Sequence, residues 1–136
     1  MSEQVNPVEI CEEAINYTNK AKGNIDILVK PLKDGQAIGE NLPQLRNLLE
    51  GLSWLNEALK SFQNIYQLDY SSIVIGRKKA ADIIESYNAF INQLSVAMDE
   101  GKATEFRKLL SSSLPAQMTA MKNLYIELQL SFQTKN

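Results

Sequence analysis

Catalysis would have to start from ionisable and nucleophilic side chains, and the supply here is thin: the chain contains no histidine and one cysteine, Cys11. Without histidine the commonest general acid-base group is missing, and no Ser-His-Asp or Cys-His arrangement can be built. The Glu-x-x-His ligand pairs of di-iron bundles are excluded for the same reason. A zinc site would have one thiolate plus carboxylates, a poor donor set, so neither a metal nor another cofactor is expected. Cys11 falls on the apolar stripe of the first predicted helix, where a thiol acts as a small inert hydrophobe. The carboxylate pairs Glu12-Glu13 and Asp99-Glu100 are adjacent in sequence, and on a helix neighbours diverge by about 100° instead of converging on a substrate. No catalytic residue emerges, and the expectation is a protein that is not an enzyme.

Two other features offer recognition chemistry. Arg77, Lys78 and Lys79 form the only local cation cluster, preceded by Ser71, Ser72 and Gly76. If a helix starts near Ser71 or Gly76, its free backbone donors and these cations could hold a phosphate or an acidic side chain. The competing reading is a solvated basic turn, because no phosphate-binding Gly-x-x-x-x-Gly-Lys loop is present. Trp54 stands just outside the main seam of its helix, with Gly51 three residues before it and Ala58 four after. Those small neighbours leave room for the indole either to fold over and widen the core or to anchor a partner helix.

The elements that must position these residues are helical. A row of apolar residues, Ile38, Leu42, Leu45, Leu48, Leu52, Leu55, Leu59, Phe62 and Tyr66, follows the three-and-four spacing of one buried helix face. Similar stripes run from Cys11 to Leu32, from Ala80 to Met98 and from Ala103 to Phe132. Asn6-Pro7 with Glu9 is a helix start, and Pro31 predicts a kink or stop before Asp34-Gly35. Gly101 ends the third helix, and Pro115 predicts a kink or restart after Ser111-Ser112-Ser113. The boundaries are about 7–33, 38–68, 72–99 and 103–132. Short connections favour antiparallel neighbours, so the expected fold is all-α: a single-domain, four-helix up-down-up-down antiparallel bundle over 1–136, made of two long helical hairpins.

Composition narrows the setting. A hydrophobic share of 44% with 22% charged residues matches a folded globular domain, and a net charge of -2 gives no general field for nucleic acid or acidic lipid. One triplet of cations without interleaved aromatics is too small a nucleic-acid footprint. No apolar run approaches the ~20 residues needed to span a bilayer, and the N-terminus lacks the basic start and apolar stretch of a secretory signal. A cytoplasmic protein is expected, with neither nucleic acid nor membrane as partner.

The leading expectation is therefore function by protein–protein association, with a second copy in a homodimer or with another helical protein, through the second helix and Trp54. In size, acidity and helicity the chain resembles the flagellar secretion chaperones, a likeness of fold alone that implies an adaptor for a helical client. The alternative from another class is a regulator binding an anionic ligand near Arg77, Lys78 and Lys79.

Overall fold

The computed structural model describes residues 6–33 and 42–134. It is all-α apart from one small hairpin. Helix α1 (Pro7–Gly23) is capped by Asn6, whose side-chain oxygen accepts from the N–H groups of Val8 at 3.0 Å and Glu9 at 3.4 Å. The helix expected over 7–33 is divided: the chain leaves helical geometry at Asn24 (φ -101°, ψ 4°) and restarts as α2 (Ile25–Lys33). The break falls at Gly23-Asn24 because glycine and asparagine are both weak helix formers, whereas α2 passes through position 31. The expected stop at Asp34-Gly35 and the first stripe residue, Ile38, lie outside the described residues.

Helix α3 (Leu42–Tyr66) ends two residues short of the expected 68, because Gln67 takes up left-handed geometry at φ 53°. The helix expected from 72 begins instead at Ala80, as α4 (Ala80–Asp99). Residues 74–79 form a hairpin, with β1 (Val74–Ile75) antiparallel to β2 (Lys78–Lys79), Val74 opposite Lys79 and Ile75 opposite Lys78. The β-branched run Ile73-Val74-Ile75 favours extended backbone, and Gly76 at φ +66° opens a two-residue turn with the positive-φ pattern of type II′.

Gly101, at φ +68°, closes α4, and the Lys102 N–H reaches back to the Ala97 carbonyl at 2.9 Å. Helix α5 (Ala103–Lys108), a π turn over Leu109–Ser113 and α6 (Leu114–Thr134) then make one continuous right-handed path. The π turn lies immediately before Pro115, which has no N–H to give to the α-helical ladder; widening the helix there absorbs the defect. The hydroxyl of Ser112 donates to the Lys108 carbonyl at 2.6 Å within the same segment.

Small side chains set the closest packing. Cys11, Ala14, Thr18 and Ala21 are the buried residues of α1, which lies along α6. The pair runs antiparallel: Gln129 donates to the Val8 carbonyl at 3.1 Å, and Lys22 donates to Thr119 Oγ1 at 3.0 Å near the other end. Helix α3 packs on α1 and α4, and α2 covers α5 and the π turn. One hydrophobic cluster joins the buried faces of these elements.

From that cluster and its margin α3 receives four phenols, three of them buried and Tyr17 part-buried. Tyr17 of α1 donates to the Leu48 carbonyl at 3.2 Å, and Tyr87 of α4 to Leu52 at 2.6 Å. Tyr125 of α6 donates to Leu55, and Tyr70, from the loop before the hairpin, to Leu59 at 2.6 Å. The acceptors 48, 52, 55 and 59 all belong to the apolar stripe of α3, so that stripe fixes its neighbours by polar bonds as well as by burial. Each such bond contributes about 1 kcal/mol net. Burial pushes the Tyr17 phenol up to about 12 and those of Tyr70, Tyr87 and Tyr125 higher still, so all four stay protonated donors.

Candidate functional site

Beside the buried stripe, Gly51, Trp54, Ala58, Ser61 and Ile65 form a second row on α3, again at three-and-four spacing. Its first member is occupied from within. A β-carbon at Gly51 would stand 2.6 Å from Tyr17 Cε1 and closer still to Cζ and Oη, so the missing side chain admits the Tyr17 phenol on its way to Leu48. The room beside Gly51 is thus taken by tyrosine.

Further along the row the space is open. Trp54 is half-buried and packs against the core, while Ala58 is buried beside it. With Ile10 and Glu13 of α1, the row from Trp54 to Ile65 lines a surface groove of about 350 Å³ whose rim also carries Glu57. Ile65 is 58% exposed, one of five large hydrophobic residues left so open among the described residues. Behind it the rings of Phe62, Tyr66 and Phe132 pack edge-on or tilted, with centroids 5.1 to 6.1 Å apart, giving the end of the groove a stiff floor. Trp54 is packed against the core and also lines the groove.

The groove has a one-sided charge. Glu13 and Glu57 are exposed at its edge, no Lys or Arg lines it, and neither acid is in an ion pair among the described residues. The chemistry open to such a surface is desolvation of an apolar side chain with cations at its flank. Cys11 offers nothing more, since it is fully buried and its thiol is pushed up to about 12 by desolvation.

Arg77, Lys78 and Lys79 are brought together on the hairpin, all exposed. Two of the helix donors beside them are already engaged: the N–H of Ala80 bonds to the Ile73 carbonyl at 2.8 Å, and that of Ala81 to Tyr70 at 3.0 Å. The triplet and the Trp54 groove are separate surfaces: the hairpin rests on α4 and α6, the groove lies between α1 and α3.

The row spacing of α3 could have revealed Ile65 and Ser61 from sequence, since they continue Trp54 and Ala58 by three and four. Ile10 and Glu13 could not be found that way, because they enter from another helix. Among the described residues no group of three His, Cys, Asp or Glu side chains could hold a metal, and no helix is long and apolar enough to cross a membrane.

Comparison with curated proteins and with solved structures gives no match. A family model, by contrast, matches residues 9–124, a span that runs from α1 into α6 and contains both the groove and the hairpin. The protein belongs to that family, described as a domain of unknown function (DUF8042).

Proposed function

We propose that this protein is a non-enzymatic helical bundle that works by protein–protein association, docking its partner in the groove between α1 and α3. The observation that carries the reading is the exposure of Ile65 next to the half-buried Trp54, on the side of α3 away from the carbonyls that its neighbours' tyrosines engage. Apolar side chains set around a Trp anchor and flanked by charges have the make-up of an interface centre and its rim. The scaffold in this reading is the four-helix up-down-up-down antiparallel bundle. Its support is the antiparallel α1/α6 pair together with Tyr125 over Leu55 and Phe132 over Phe62, which run α6 parallel to α3 across the core. A cytoplasmic setting goes with it, from the single buried thiol.

The test uses Ile65→Asp, an exposed change that spares the core, and Trp54→Ala beside it. Light scattering reports self-association, and a pull-down scored for a stoichiometric client reports an adaptor role. Loss of either association in both variants, with helical circular dichroism unchanged, is the expected result. Retention of wild-type mass and wild-type client recovery in both would refute the docking groove.

A further inference from the structure

We infer that the occupant of the groove is the basic hairpin of a second copy of this chain. This rests on the docking reading above and names its partner. The hairpin carries what the groove lacks. Val74 is 59% exposed, and its cross-strand neighbour is Lys79, so one face of the hairpin presents an apolar side chain beside an ammonium group. Lys78 and Arg77 extend the positive charge to the turn. The groove presents the reverse set: Ile65 and Trp54 on its apolar floor, Glu13 and Glu57 at its edge. None of these five charged groups has an ion-pair partner among the described residues. Docking Val74 against Ile65 desolvates both and brings Lys79, which shares the Val74 face, to the acids, while Lys78 on the opposite face adds to the positive field of the hairpin.

The hairpin is built to insert without reorganising. It is tied at its root by the Ala80-to-Ile73 and Ala81-to-Tyr70 bonds, and Tyr70 is itself held by its bond to the Leu59 carbonyl. A donor ordered in advance loses less entropy on binding. It does not fill its own groove, because it is packed on α4 and α6 while the groove opens between α1 and α3. The contact is therefore heterologous, hairpin to groove, and either closes reciprocally in a pair or propagates along a row of copies.

A charge-swap experiment tests it. K78E/K79E reverses the hairpin and E13K/E57K reverses the groove; all four positions are exposed, and unchanged thermal melts establish that both variants fold. The wild type is expected to gain mass with concentration by light scattering and to lose it as salt is raised, and each variant alone is expected to stay monomeric. An equimolar mixture of the two variants restores association, because the acidic hairpin then meets the basic groove and the basic hairpin meets the acidic one. A wild type that stays monomeric at every concentration overturns the inference, as do variants that associate like wild type or a mixture that fails to recover. If Ile65→Asp abolishes association while the charge swaps leave it intact, the groove is still a docking site but its occupant is not the hairpin. A client lost by E13K/E57K and kept by K78E/K79E would likewise replace the second copy with a foreign basic partner.

Discussion

Gly51→Ala pits two well-understood effects against each other, and the geometry decides the sign. In an exposed helix interior, alanine for glycine stabilises by about 1 kcal/mol through helix propensity. Here the new methyl group would stand 2.6 Å from Tyr17 Cε1 and nearer to Cζ and Oη, a distance that forces the phenol to move. The ring is a rigid plate on two torsions, so moving it breaks the 3.2 Å bond to the Leu48 carbonyl, about 1 kcal/mol, and strains or exposes a half-buried ring, about 1–3 kcal/mol more. The net effect is destabilisation by about 1–3 kcal/mol, once the roughly 1 kcal/mol of helix propensity is subtracted. Tyr17→Ala removes the obstacle, so in that background Gly51→Ala is expected to stabilise by about 1 kcal/mol. Urea denaturation of the four proteins, compared at constant m, measures the cycle, and a coupling of about 2 kcal/mol or more is expected. Stabilisation by Gly51→Ala in the wild-type background, or no change of sign without Tyr17, would refute the role given to this glycine.

The phenol belt makes the fold sensitive to alkali. Because burial raises these four phenols above their ordinary value near 10, stability is intact below about pH 10 and declines as pH rises towards 12 and beyond, where the unfolded chain holds fewer protons than the folded one. Tyrosinate absorbance of these four should rise together with loss of helical circular dichroism; ionisation well before unfolding would contradict the buried-donor assignment. Tyr87→Phe should cost about 1 kcal/mol in urea denaturation, at the lower end for a buried bond because the Leu52 carbonyl keeps its α-helical partner. Ala14→Leu, at a fully buried position on the α1 face against α6, should cost about 1–3 kcal/mol by overpacking, while Asn16→Leu, two residues on and exposed, should stay within about 0.5 kcal/mol of wild type.

The helical class was legible because apolar spacing reports burial directly, and the stripe from Leu45 to Phe62 is the buried face of α3. What the spacing concealed is local. Ile73-Val74-Ile75-Gly76 lies ahead of the stripe that begins at Ala80, and three β-branched residues before a glycine satisfy the requirements of a strand and a II′ turn better than those of a helix start near 72. Gly23-Asn24 outweighed Pro31 as a break because two weak helix formers in succession act on both sides of one peptide, while a proline near a helix end removes one bond. The site was half legible for a similar reason: Trp54 and Ala58 share a helix and a spacing, but Gly51 serves a tyrosine thirty-four positions earlier in the chain, and nothing local to α3 encodes that.

The tyrosines also explain why the available surface of α3 lies where it does. Each apolar stripe of an ordinary bundle can in principle trade its neighbours for a partner's side chains, since burial is non-directional. Directional bonds to the carbonyls of residues 48, 52, 55 and 59 remove that freedom, because exchanging the neighbours would strip three buried phenols and the part-buried Tyr17 of their acceptors, at about 1–3 kcal/mol for each buried one. A partner of the kind proposed would therefore take the side of α3 that the phenols leave alone. That side is the row through Trp54 and Ile65, where the space given up at Gly51 to Tyr17 ends and the open groove begins.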